Sequence, residues 1–209
     1  MADVTTLLTD GTEVVLRPIG PDDKSLLEQG MAKLSATSRR LRFMSSIENL
    51  SKSQLAYLTE IDHHHHLAWG AMVSGQPVAV GRLVRLADPT ESAEIAITVL
   101  DEWQGRGLGK LLVRLLAEIG RSVGIERVVF EALAENEGIV RLLSRFGAIY
   151  DLDEGVVTGS LEIGAIEAVP ILAGDLLELA AAVRRPGSPT PAVAGQGSRT
   201  RSKRSTNSA

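Results

Sequence analysis

The chain has no cysteine among its 209 residues, which excludes a disulfide framework, a thiolate metal site and a cysteine nucleophile, and gives an oxidising compartment no support. It has no apolar run of the length a membrane span needs. Its start, Met1-Ala2-Asp3-Val4-Thr5-Thr6, lacks the basic and apolar segments of a signal peptide, so a cytoplasmic protein without a membrane partner is expected. It also has no acidic residue after Glu178, whereas six of the 22 basic ones (Arg184, Arg185, Arg199, Arg201, Lys203 and Arg204) lie beyond that point. The net charge of -4 therefore conceals an acidic body and a basic tail.

What is present suits one folded unit with some chain left over, since 44% of the residues are apolar. From Pro186 onward the chain is Gly, Ser, Pro, Thr and Ala with scattered Arg, too little apolar surface to offset ordering entropy. The expected organisation is a folded domain over 1–165, a short helical extension over 166–185 built on Asp175 to Val183, and a disordered basic tail over 186–209. The tail's arginines are dispersed and lack aromatic neighbours, so a solvated extension is the plainer account than a nucleic-acid partner.

Within the body, Glu13 to Pro18 reads as a first strand, and Pro21-Asp22-Asp23 opens a helix containing Leu26, Leu27 and Met31. A second helix starts at Ser51. Leu67 to Val73 and Val78 to Leu86 are strands joined by a hairpin loop at Ser74-Gly75-Gln76-Pro77, and Ala93 to Leu100 is the next strand. Lys110 to Ile119 has apolar residues at helical spacing and is stopped by Gly124. Then come a strand at Arg127 to Leu133, a helix at Glu137 to Phe146, and a closing pair at Ala148 to Leu152 and Val156 to Ile163. This order predicts an α/β (α+β) fold with a mixed, mostly antiparallel sheet of about six to seven strands flanked by about four helices.

Between the strand ending at Leu100 and the following helix lies Trp103-Gln104-Gly105-Arg106-Gly107-Leu108-Gly109-Lys110. The first N–H groups of a helix have no partner within it and carry partial positive charge, so a glycine-rich entry to a helix makes an anion site. Gly105, Gly107 and Gly109 allow close approach, and Arg106 and Lys110 add charge. Neither a Walker-type lysine motif nor a dinucleotide fingerprint is present, so a pyrophosphate of another kind is implied.

Gln104 to Gly109 fits the Gln/Arg-x-x-Gly-x-Gly/Ala signature of the GNAT acetyltransferases, and Asn136 followed by Leu143 and Phe146-Gly147 fits their downstream pattern. From Glu13 to Ile163 the chain resembles this family. Three segments, Leu16 to Asp23, Ser38 to Phe43 and Leu58 to Asp62, are similar to the acetyltransferase domain of bacterial protein lysine acetyltransferases, whose regulatory domains have no counterpart here. The resemblance implies the GNAT fold and acetyl-CoA as co-substrate. It further implies that the backbone of Gln104, Gly105, Arg106, Gly107, Leu108, Gly109 and Lys110 cradles the coenzyme A pyrophosphate. Ile97, Thr98 and Val99 would then hydrogen-bond the pantetheine arm, Asn136 would steady it, and a backbone N–H near Val99 would serve as oxyanion donor.

An amine attacks a thioester only when neutral, so a carboxylate general base is needed beside the thioester. Period-two alternation puts Glu94, Ala96 and Thr98 on one strand face and Ile95, Ile97 and Val99 on the other. Glu94 also matches the strand glutamate that serves as base in lysine acetyltransferases of the family, with Glu131, Glu60 and Asp62 ranked below it. Many members carry a tyrosine acid seven residues after the asparagine. Leu143 stands there, with Ser144 and Tyr150 nearby but out of position, which implies a base-only mechanism. The expected acceptor is a protein lysine; a small-molecule amine and a non-catalytic acyl-CoA sensor are the alternatives. Tandem histidines His63 to His66 cannot all face one ion and no other histidine completes a site, so no metal is expected and the run reads as a loop before a strand. Arg39, Arg40 and Arg42 read as a solvated helix end. Oligomeric state leaves no sequence signature.

Overall fold

Alternation along the central strands decides where the helices go. On Ser92–Val99, Ile95 is buried and Glu94 exposed; Ile95, Ile97 and Val99 belong to the main core, while Ala96 and Thr98 line a cavity on the opposite face. Helices are consequently needed on both faces. The computed structural model describes residues 3–167 and 169. The helix-forming stretch Asp175 to Val183 and the tail over 186–209 lie outside the described residues.

The elements run β1 (Val4–Leu7), β2 (Glu13–Pro18), α1 (Lys24–Lys33), α2 (Ala36–Phe43), α3 (Lys52–Thr59), β3 (His66–Val73), β4 (Gln76–Arg85), β5 (Ser92–Val99), α4 (Leu108–Ser122), β6 (Arg127–Leu133), α5 (Glu137–Ser144), β7 (Ile149–Asp153) and β8 (Val156–Glu162). One sheet carries all eight strands in the order β1-β2-β3-β4-β5-β6-β8-β7. Every neighbouring pair is antiparallel except β5 and β6. The fold is thus the expected α+β arrangement, with eight strands and five helices among the described residues where about six to seven strands and about four helices were expected.

The two additional elements have physical reasons for escaping a sequence reading. β1 is four residues long, and Leu7 at its end is 65% exposed, so it shows no alternation of use. It is held by its pairing with β2, Val4 opposite Leu16, after a turn through Gly11 at φ 82°. Helix α2 buries no residue, so it lacks the apolar stripe that marks a helix. Its start is set instead by Ser35, whose hydroxyl accepts the Ser38 N–H at 3.1 Å.

Helix α4 supplies most of the packing on one face. Leu108, Leu112, Val113, Leu115, Leu116 and Ile119 are all buried, each worth roughly 1.5–3 kcal/mol relative to exposure. The helix comes close because Gly81 of β4 has no side chain: a Cβ there would stand 2.9 Å from Leu116 Cδ1. On the other face α1 and the chain after α2 close a smaller core of Met31, Leu34 and Leu100, with Phe43, Ile47 and Leu50 against it. The β6–β8–β7 end is different. Register puts Glu131, Thr158 and Asp151 side by side on that same face, and all three are exposed.

The histidine run is a loop into β3, as its position in the sequence implies. Asp62 organises it: one carboxylate oxygen accepts the N–H groups of His64, His65 and His66, and the other meets His65 Nδ1 at 2.8 Å. His66 then points at β4, where Arg82 donates to its Nε2 at 2.7 Å. Burial first and the Arg82 charge second push His66 down to about 3 from 6.5. Between those values the unfolded chain binds the extra proton and the folded chain does not. Stability from this site is complete above about pH 6.5 and is lost as pH falls towards about 3. Urea unfolding of the wild type is expected to lose on the order of 2 kcal/mol between about pH 7 and 4.5, and His66→Gln is expected to flatten that slope. Parallel slopes for the two proteins would mean that His66 is not held neutral.

Candidate functional site

Strands β5 and β6 are bonded only from Ser92 to Glu94 on one and Arg127 to Val129 on the other. Beyond those residues β5 stays with β4 as far as Val99, and β6 stays with β8 as far as Leu133. The two strands therefore part, and a wedge opens in the middle of the sheet. Its walls are Ile95 to Val99 and Phe130 to Leu133. Glu94, exposed, stands at the apex, and Ile97, Thr98 and Val99 lie on the edge of one wall that β6 leaves unpaired, where Val99 O is met by the Gln104 side chain.

The mouth of the wedge is framed by two helix starts. On one side Leu100 leads through a single 3-10 turn, Asp101–Trp103, into Gly105 at φ 75° and Gly107 at φ 99°, the residue before α4. Both glycines occupy the left-handed region, which residues with a Cβ rarely adopt. The N–H groups of Gly105, Arg106, Gly107, Leu108, Gly109 and Lys110 have no backbone or side-chain acceptor among the described residues, and the ladder resumes only with Leu111 N–H to Gly107 O at 3.0 Å. A row of free donors at the start of a 15-residue helix is an anion site. Gly109 serves packing as well, since a Cβ there would meet Leu142 of α5 at 2.9 Å.

Gln104 and Arg106 behave differently from their neighbours. Gln104 donates its N–H back to Asp101 O at 3.2 Å, and its side-chain amide donates to Val99 O at 3.2 Å, so it bridges the loop to the strand edge. Arg106 lies over the Trp103 ring, 4.3 Å from its centroid, and binds Asp10 in the β1–β2 turn at 2.8 Å. Bonds from the Thr12 hydroxyl and backbone, joined by Arg106, hold the Asp10 carboxyl down at about 2. The Arg106 charge is thus partly neutralised, and Lys110, exposed in the first turn of α4, carries the loop's other positive charge. On the far side Asn136 caps α5, its Oδ1 accepting the Ile139 N–H at 3.3 Å.

Helix α2 spans this mouth. Asp101 accepts the Ser35 N–H at 3.0 Å and the Ser35 and Ser38 hydroxyls at 2.9 and 2.7 Å. Burial works to raise this carboxyl, but the Ser35 and Ser38 bonds outweigh it and hold it below its ordinary range. One turn on, Arg40 pairs with Glu135, next to Asn136. The last turn brings Arg42 inward, its Nε donating to Thr98 Oγ1 at 3.0 Å. Burial pulls the Arg42 guanidinium down, with the Glu94 charge opposing. Arg39 caps α1 by donating to Leu34 O at 2.6 Å. The expected solvated arginine cluster is therefore a set of three anchored side chains, because α2 crosses over β5 instead of facing solvent.

The remaining carboxylates separate clearly. Glu60 pairs with Lys24 at 2.5 Å and Asp62 holds the histidine loop, so both are committed elsewhere. Glu131 shares an open groove of about 610 Å³ with Glu94 and Asp151. Leu143 is fully buried in the core, Ser144 donates its hydroxyl to Val140 O, and Tyr150 is 48% exposed on β7. Sequence reasoning missed Arg82, which is only 4% exposed and donates to Leu58 O and His66 Nε2. The signal was available: an arginine in the middle of the apolar run Val78 to Leu86.

Comparison with known proteins agrees with this geometry. The chain is 31% identical over 160 residues to acetyltransferase Pat of Mycolicibacterium smegmatis, covering 74% of this chain and 47% of that protein. It therefore spans about half the length of that relative. It is 31% identical over 150 residues to acetyltransferase PA5475 of Pseudomonas aeruginosa, covering 70% of this chain and 80% of that one. The GNAT domain of S. lividans PAT superposes with a TM-score of 0.73 at 27% identity, covering 77% of this chain and 96% of the domain. Residues 36–148 match the model of the acetyltransferase (GNAT) family, the stretch that contains both walls of the wedge and both helix starts, and the chain belongs to that family.

Proposed function

We propose that the protein is an acetyl-CoA-dependent N-acetyltransferase that acts on a lysine amine of a protein by direct attack, with Glu94 as general base. The observation that carries this reading is the wedge between β5 and β6, closed at Glu94 and framed at its mouth by six unpartnered N–H groups. A diphosphate fits those donors, because an anion at a helix start meets both the hydrogen bonds and the partial charge it needs. A pantetheine arm carries amides of its own and satisfies the free edge at Ile97, Thr98 and Val99 as a short added strand does. Asn136, at the start of α5 across the mouth, would steady that arm.

The chemistry then belongs to the apex. Glu94 takes a proton from the acceptor ammonium or amine, directly or through water. The amine nitrogen bonds to the thioester carbon, a backbone N–H near Val99 supports the oxyanion, and the carbon–sulfur bond breaks to release the thiolate. With Leu143 buried where a tyrosine acid would stand, the thiolate leaves without a dedicated proton donor from α5.

Support for a protein lysine comes from the approach to Glu94. Helix α2 covers the mouth, while the exposed face of β6 and β8 leads to Glu94 past Glu131 and Asp151. An open, acidic approach suits a cationic side chain presented on a surface, and gives a small molecule few walls.

Glu94→Gln is expected to lower turnover about 100-fold or more while acetyl-CoA affinity is retained, measured by CoA release and by calorimetry. Unchanged turnover would remove Glu94 from the mechanism, and absence of product with every amine and lysine-bearing protein, despite tight binding, would favour an acyl-CoA sensor. Gly107→Val places a branched side chain at φ 99° and is expected to weaken acetyl-CoA binding about tenfold or more. Intact affinity in a folded variant would sink the diphosphate assignment.

A further inference from the structure

Two arginines share one enclosure beneath α1 and α3, and neither forms an ion pair among the described residues. Arg42 and Arg82 both line a cavity of about 90 Å³, together with Ala96 and Thr98 of β5 and apolar walls that include Met31, Leu34, Leu58 and Val80. That volume exceeds what one water needs several-fold. Arg82, only 4% exposed, bonds to Leu58 O and to a neutral imidazole. Arg42 bonds to the Thr98 hydroxyl. Arg17 in the same enclosure supplies a contrast, because Asp23 holds it in a two-bond pair.

Burying a cation without a counterion costs several kcal/mol, and two like charges in one enclosure add to it. Burial, then the charge of Arg42, brings Arg82 down to about 9. Glu94 acts on Arg42 through space without a bond to it, and forms no ion pair with either arginine among the described residues. Beside the Arg17–Asp23 pair, the enclosure thus has two further guanidinium forks with no carboxylate bonded to them in a largely apolar lining, which is the arrangement that recognises a carboxylate brought by a ligand.

Register says which ligand brings it. Ala96 lies opposite Arg82 across β4 and β5, two residues from Glu94 at the wedge apex. Ala96 has no side chain beyond Cβ, so on the face it shares with Glu94 this position puts little bulk between the apex and the arginine-lined cavity. The acyl chain of a donor lying along β5, its thioester by Glu94, would have to turn past Ala96 to reach the arginines.

We propose that the Arg42–Arg82 enclosure binds the terminal carboxylate of a dicarboxylic acyl group, making acyl-CoA donors of the succinyl class substrates of this chain. The assignment rests on the reading of β5 as the donor-binding strand. In the transfer the amine nitrogen bonds to the thioester carbon, the carbon–sulfur bond breaks, coenzyme A leaves as thiolate, and the amine proton goes to Glu94. The distal carboxylate remains between the arginines throughout, and the acceptor amine changes from a cation to an anion-bearing amide.

Calorimetric titration of the protein with acetyl-, butyryl- and succinyl-CoA tests this, butyryl-CoA matching the succinyl chain length without its charge. Succinyl-CoA is expected to bind at least about tenfold more tightly than butyryl-CoA, a difference of about 1.4 kcal/mol, and the advantage is expected to shrink to about twofold or less in Arg82→Met and Arg42→Gln. Circular dichroism establishes that each variant is folded; where Arg82→Met is not, Arg42→Gln decides. Equal binding of the two donors by the wild type overturns the proposal, as does an advantage that survives substitution. A carboxylate arriving on the acceptor instead leaves the donor affinities equal and so also overturns it. Binding of acetyl-CoA without a succinyl advantage sinks this proposal alone, whereas failure to bind any of the three sinks the donor reading with it.

Discussion

The short parallel contact between β5 and β6 governs the rest of the molecule. Parallel neighbours require a crossover, here α4, and a crossover of that kind delivers a helix start to the end of the strand it leaves. Because the contact ends at Glu94 and Val129, the same helix start stands at the mouth of a gap in the sheet. Backbone groups along such a gap cannot be left dry without a penalty of about 1–3 kcal/mol each. A sheet that opens in its middle therefore leaves backbone groups that solvent or a bound ligand must satisfy.

Helix α2 makes that gap a defined site. Ser35 and Ser38 at its start hold Asp101 on the β5 side and its Arg40 holds Glu135 on the β6 side, so one short helix ties the end of one wall to the end of the other. No residue of the helix is fully buried, and it is held largely through polar ties, with Phe43 half-buried against the smaller core. This is an economical use of exposed side chains. Isolated surface pairs contribute little to stability, but several acting on one eight-residue helix restrict where it lies.

Much of this was legible in the sequence where the determining physics is local. Glycines at 105, 107 and 109, a preceding apolar strand and a following amphipathic helix state the anion loop directly, since positive φ and unpartnered N–H groups follow from short-range geometry. That Asn136 caps α5 was not read from the sequence, where the residue is expected only to steady the cofactor arm. Elements stabilised from a distance did not declare themselves. β1 exists through its pairing with β2, and α2 through ties to residues 63 to 95 positions away in the chain. The side-chain partners of Gln104 and Arg106 were equally hidden, because they depend on where Val99 and Asp10 come to lie.

The wedge apex divides two electrostatic environments, and this division orients the proposed reaction. On the side open to solvent Glu94 neighbours Glu131 and Asp151; on the side closed by α1 and α3 it faces Arg42, with Arg82 behind. An ammonium approaching along the acidic face is attracted as far as Glu94 and repelled beyond it. An anionic acyl terminus experiences the reverse, being excluded from the acidic face and stabilised in the enclosure. In the proposed reaction Glu94 stands between the acidic groove and the arginine-lined cavity, so amine and acyl group would meet there from opposite directions. A single polar residue on a strand acquires this position because the strand's alternation sends its apolar neighbours, Ile95 and Ile97, into the core behind it.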